Sequence, residues 1–177
     1  TQHTQYRRKL INAINKDVAQ IIANGNKRVL TARFYDAKFF YAEDRNKSLE
    51  MHAKKLEAMR WVRNGGTMQE KSLRISVLAQ AFANRFGGNV EYAKRAGLLC
   101  KADLGSQMVG EFPKLQGHVG SLLAGFDGEE PEVAQAIEEH YLPRFHGDQL
   151  PETQTGLFTG MADRWDTLTG CFRLGLE

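Results

Sequence analysis

Apolar residues recur at helical spacing along almost the whole chain. Over 4–23 they are Leu10, Ile11, Ile14, Val18, Ile21 and Ile22, with Arg7, Arg8, Lys9 and Lys16 on the opposite side. That spacing predicts an amphipathic helix with one buried stripe. Asn24-Gly25-Asn26 predicts a break with a left-handed C-terminal cap. A second helix is expected over 27–44, where Phe34, Tyr35, Phe39, Phe40 and Tyr41 make an apolar face wide enough to pack on two sides. After the polar Arg45-Asn46-Lys47, Ser48 suits an N-cap for a helix over 49–62. Glu50 and Lys54 are spaced to pair on its outer face. Asn64-Gly65-Gly66 ends it. Thr67 and Glu70 then form a capping box opening a helix over 68–86. Its face of Ile75, Leu78, Ala79, Phe82, Ala83 and Phe86 has the cleanest period in the chain.

Beyond Gly87-Gly88-Asn89 lies the stretch that organises the rest, 96–117. The uncharged run Gly97-Leu98-Leu99-Cys100 belongs in a core, and Lys101 and Asp103 follow it at once. A short helix should run on to the Phe112-Pro113 stop. Val119 to Phe126 is a further apolar stretch, and Asp127-Gly128 a turn. Pro131 suits a first helical position, with Glu129, Glu130 and Glu132 favourable at the positive end of the helix dipole. That helix is expected to reach Tyr141, before a Pro-bounded loop over 143–151 and a last helix over 152–172. No strand pattern of convincing length appears. The fold class is all-α, with about seven helices and short connections.

Composition adds bounds rather than a function. The chain has 177 residues, 42% hydrophobic and 25% charged, an ordinary single-domain mixture. The net charge of +3 permits a nucleic-acid partner only if the basic residues cluster. Cys100 and Cys171, in apolar helical contexts, read as free core thiols. No apolar run is long enough to span a membrane, and no signal peptide is visible. The start at Thr1 and the end directly after a helix suggest an excised part of something longer.

Lys71-Ser72-Leu73-Arg74, Ala102-Asp103, Glu138-Glu139-His140-Tyr141 and the segment from Ala162 to Asp166 hold the chemistry-bearing side chains. Their order and separation resemble the helical HD superfamily of metal-dependent phosphohydrolases. There a His, a His-Asp pair and a distant Asp hold a divalent cation. The matching positions are Lys71, Ala102-Asp103 and Asp163, with His140 where many members place a further histidine. A protonated amine cannot ligate a metal, and neither can a methyl group. The surviving carboxylates suit at most a weak Mg²⁺ site. We therefore expect an internal ion pair, Lys71 facing Asp103 or Asp163, in place of the metal. The other reading is a divergent HD-type phosphohydrolase using Asp103, Asp163 and His140. His52, His118 and His146 read as surface or satisfied histidines. Arg144 and His146 fit an ordinary solvated loop. No glycine-rich phosphate loop is present.

The segments GNKRVLTARFYDAKFFYAEDR, KLEAMRW, KADLGSQMVGEFPKLQG, AIEEHYLPRFHGDQLPET and MADRWDTLTGCF occur in order over 25–177. They are similar to the β subunit of bacterial-type glycyl-tRNA synthetase. The resemblance implies an α₂β₂ ligase, cytoplasmic, that joins glycine to its tRNA using ATP, with the catalytic site for glycine activation on the α subunit. It implies a helical connector over 1–66 and a degenerate HD-like domain over 67–177. This chain would be non-catalytic and would bind no cofactor itself, serving tRNA positioning and assembly with the α subunit. For glycine tRNA the phosphate-contact candidates are Arg45, Lys47, Lys54, Lys55, Arg60 and Arg63. Glu50 and Glu57 on the same faces favour an ordinary solvated helix instead.

Overall fold

The computed structural model describes residues 2–176, with side chains from 15 onward. Among these the architecture is all-α. The helices are α1 (Gln2–Asp44), α2 (Leu49–Lys54), α3 (Met68–Phe86), α4 (Val90–Leu99), α5 (Gln107–Glu111), α6 (His118–Phe126), α7 (Pro131–Glu139) and α8 (Gln154–Leu174). Three short 3₁₀ turns, Lys55–Ala58, Ala102–Gly105 and Pro113–Leu115, join them. Among the described residues a single bridge outside the helices pairs Arg60 with Thr67. The residues fall into two compact units that meet between Phe40 and Tyr41.

The first unit is helical from Gln2. The expected break at Asn24-Gly25-Asn26 is absent: α1 runs straight through it. Gly25 does not take a positive φ, and a single glycine costs a helix only about 1 kcal/mol relative to alanine, which the helix-forming residues on both sides can carry. Among the described residues the buried stripe is not found either. Val18, Ile21, Ile22, Phe34, Tyr35 and Phe39 are exposed in this chain, and the side chains of Arg7, Arg8, Lys9, Leu10, Ile11 and Ile14 lie outside the described residues.

The second unit is built around α3, which packs on α4 and α8, while α7 packs on α6, α8 and α4. One core cluster gathers Leu49, Leu99, Ala102, Val119, Leu123 and Ile137. The other gathers Ile75, Ala79, Ala83, Ala93, Cys100 and Phe158. The predicted α3 face supplies its interior side, although Phe86, on the last turn, is exposed. The capping box at Thr67 and Glu70 is present with both hydrogen bonds. Gly87 closes α3 in the left-handed region at φ 85°. Gly97 sets the approach of α4 to α3, since a Cβ there would meet the Ser76 Cα at 2.6 Å.

Two expectations fail between 49 and 62. The helix is one short α segment followed by a 3₁₀ turn, not a helix to Val62. Residues 59–67 fold back instead: Met68 N–H donates to the Met59 carbonyl at 2.8 Å, and Trp61 N–H to Gly66 at 3.0 Å. Trp61 then packs over Gly65 and Gly170, so tertiary packing overrides local helix propensity. Glu50 does not pair with Lys54; it reaches Arg95 at 2.7 Å. Ser48 does cap α2, accepting from Met51 N–H. The helix expected to reach Tyr141 ends at Glu139, with His140 as its C-cap.

Candidate functional site

α3 and α8 bring opposite charges together by matched periodicity. Lys71 and Arg74 lie three residues apart on α3, and Asp163 and Asp166 three apart on α8, so each pair shares a helix face. Lys71 Nζ lies 2.9 Å from Asp163 Oδ1 and 3.0 Å from Asp166 Oδ2, and it donates to Thr167 Oγ1 at 2.8 Å. Arg74 closes on Asp166 with two hydrogen bonds. From the turn after α4, Lys101 Nζ reaches Asp163 Oδ2 at 2.7 Å. Asp163 thus carries an ammonium group on each oxygen, and its Oδ1 is held by charge alone, without hydrogen-bond geometry.

The far side of Lys101 is His140, whose Nε2 lies 2.9 Å away. The Nδ1 of His140 is 2.6 Å from the Ile137 carbonyl. Nδ1 therefore donates to the carbonyl, and Nε2, facing an ammonium, accepts. That makes the ring neutral. Burial drives the His140 pKa well below the ordinary imidazole value, and the Lys101 charge adds to the effect. Burial pushes the Asp163 carboxyl up, but Lys101 and Lys71 outweigh it and hold it below the usual carboxylate range. Tyr141 stacks beside His140 and lies under Lys101 Nζ, 4.1 Å from the ring centre. Arg164 fixes this corner by donating to the carbonyls of His140, Tyr141, Leu142 and Pro143. It thereby supplies a cation at the C-terminus of α7.

Asp103 has a different task. Fully buried, its Oδ2 accepts from the Gly117 and Gly120 amides at 2.6 and 3.1 Å, at the start of α6. It caps α6 from a distance, where a carboxylate meets the positive end of the helix dipole. Its Oδ1 has no hydrogen-bond partner. Burial raises its pKa against the pull of those two amides. Of the two acids expected to face Lys71, Asp163 does so and Asp103 does not. Ala102 is core.

A divalent cation does not fit this arrangement. Both oxygens of Asp163 are engaged by ammonium groups, and Asp103 is turned to backbone amides. Among the described residues no group of three or more His, Cys, Asp or Glu side chains is placed to hold a metal. Sequence reasoning undervalued Lys101 and Asp166. The signal for Asp166 was its spacing of three from Asp163; for Lys101 it was an ionisable side chain directly after an uncharged core run. His52 is buried, with Nε2 3.0 Å from the Asp44 carbonyl. His118 pairs with Glu138 at 3.1 Å. Cys100 is buried and free, its thiol pushed up to about 12 by burial; Cys171 is free and half-buried.

The six basic candidates around α2 are all exposed. Two have work within the fold: Arg45 covers the Phe126 ring at 3.8 Å, and Lys55 Nζ donates to the Gly105 carbonyl at 2.6 Å. Lys47, Lys54, Arg60 and Arg63 face solvent, and the Glu50 expected to neutralise Lys54 is drawn to Arg95. No described helix is long and apolar enough to cross a membrane.

Comparison with known proteins bears on this geometry. A family model described as the glycyl-tRNA synthetase beta subunit matches residues 9–177. A glycine–tRNA ligase beta subunit from Syntrophomonas wolfei is 48% identical over 158 residues, covering 89% of this chain and 23% of that protein. Proteins of the same name from Chromohalobacter salexigens and Azotobacter vinelandii are 45% and 46% identical, each over 93% of this chain and 24% of theirs. The chain thus spans about a quarter of the length of these relatives.

Proposed function

The chain belongs to the glycyl-tRNA synthetase beta-subunit family, and from that premise we propose that it is a non-catalytic helical module of the ligase. Its work is to position glycine tRNA and to join the β subunit to its α partner, while the whole enzyme uses ATP to make glycyl-tRNA. The observation that carries this reading is the state of Asp163. Its two oxygens, at the position where HD hydrolases hold their ion, are closed by Lys71 and Lys101 at 2.9 and 2.7 Å. Replacing that cluster with a metal would leave two buried amines unpaired, a cost of several kcal/mol each. The interior is thereby committed to stability, and the exterior remains for recognition. There the exposed Lys47, Lys54, Arg60 and Arg63 offer cations for phosphate.

The test is a salt titration of glycine-tRNA binding by the full-length subunit assembled with its α partner. The variant neutralises Lys47, Lys54, Arg60 and Arg63 together by substitution to Gln. Each lost phosphate contact should lower the slope of log affinity against log salt by about 0.7–0.9. A quadruple variant with unchanged affinity and slope would remove this patch from the reading.

A further inference from the structure

The fold-back at 59–67 rests on the last turns of α8 through the ring of Trp61. A Cβ on Gly65 would approach ring atom Cε3 to 2.9 Å, and one on Gly170 would approach Cη2 to 2.4 Å. The two surfaces therefore meet only because both positions lack a side chain. Beside the ring a cleft of about 260 Å³ opens, lined by Trp61, Gly65, Arg74, Asp166, Gly170 and Arg173.

Its charge is unbalanced. Arg74 and Arg173 are the cations of its lining and Asp166 is the carboxylate, shared with Lys71 behind the wall. Arg173 is exposed on the last turn of α8. Two cations against one carboxylate leave an excess of one positive charge on the cleft wall. Arg74 is held by both oxygens of Asp166, yet its side chain is 42% exposed. Its orientation is fixed while donor hydrogens remain to share. A fixed guanidinium and a free one lining the same cleft match the forked acceptors of a phosphate.

We infer that this cleft binds a phosphate group of an RNA backbone, with Arg173 as the principal contact and Arg74 as the pre-oriented second donor. The inference rests on the tRNA-positioning reading and adds to it a place outside the α2 patch. The same chemistry would admit free phosphate, so both sources are tested.

The experiment uses the full-length subunit with its α partner, comparing wild type with Arg173→Gln. Because Arg173 is exposed, the melting temperature should not move. Affinity for glycine tRNA at low salt should fall about fivefold to tenfold, and the salt slope should drop by about one phosphate contact, 0.7–0.9. In parallel, inorganic phosphate is titrated against both proteins and followed by ³¹P line broadening. Unchanged tRNA binding in Arg173→Gln alongside weakened binding in the quadruple α2 variant overturns the cleft and leaves the tRNA reading standing. Unchanged binding in both variants overturns the two together. Phosphate broadening lost in Arg173→Gln without any change in tRNA binding assigns the cleft to small anions and overturns the RNA source.

Discussion

At the scale of single residues, the molecule spends its polar side chains on closing its own interior. Asp163 is held by two amines, Asp166 by an amine and a guanidinium, and Asp103 by two backbone amides. Removing one member strands a charge that burial makes costly. Lys71→Met should therefore destabilise the chain by about 3–5 kcal/mol in urea unfolding. Adding Asp163→Asn to it should cost less than the sum of the two single changes, because the partner left behind is gone as well. Additive costs would show that the pair does not interact. His140 makes a pH prediction. It stays neutral when folded but takes a proton below its ordinary value of 6.5 when unfolded, so stability falls as pH drops below that point, by up to about 1.4 kcal/mol per pH unit. Asp163 acts lower down: its depressed pKa contributes stability above about 3.8 that is lost as pH falls further. His140→Gln keeps an acceptor toward Lys101 and cannot titrate. Its unfolding free energy should be flatter than wild type between about pH 6.5 and 5; equal slopes would show that the ring is not held neutral.

At the scale of elements, the legible parts were those where pattern and punctuation agree. α3 begins at a capping box and ends at a left-handed glycine, and both were readable. α7 begins at Pro131 as its residues demand. Two places misled for different reasons. In α1, Asn24-Gly25-Asn26 carries the composition of a cap, but composition does not force a positive φ, and the helix continues. After α2, nothing local announces that Trp61 will be drawn onto Gly170, more than a hundred residues away, and that long-range contact sets where the helix stops. The α1 finding has a direct check. Around Gly25 a Cβ meets nothing within 4 Å, so Gly25→Ala should stabilise the helix by about 0.5–1 kcal/mol and raise the 222 nm ellipticity on heating. A left-handed cap at this position would give a loss instead.

At the scale of the whole molecule, the second unit is a closed helical body whose centre is an ion cluster and whose outer faces carry unpaired cations. Part of this was visible in the amino-acid order. The HD resemblance set Lys71 and Ala102 at positions that would need imidazoles, and it offered Asp103 and Asp163 as the two acids that Lys71 could face. The choice between Asp103 and Asp163 was not visible, because it depends on which acid the start of α6 claims. The role of Lys101 was hidden for a similar reason: only the folded turn after α4 aims it at Asp163 and His140. The central claim, that amines occupy the position where the HD resemblance would place a metal, is tested most directly by metal analysis of the purified full-length subunit after dialysis with Mn²⁺ or Mg²⁺, together with a nucleotide phosphohydrolase assay. We expect substoichiometric metal and no turnover. One tightly held divalent ion per chain, with hydrolysis abolished by Asp163→Asn, would contradict the account.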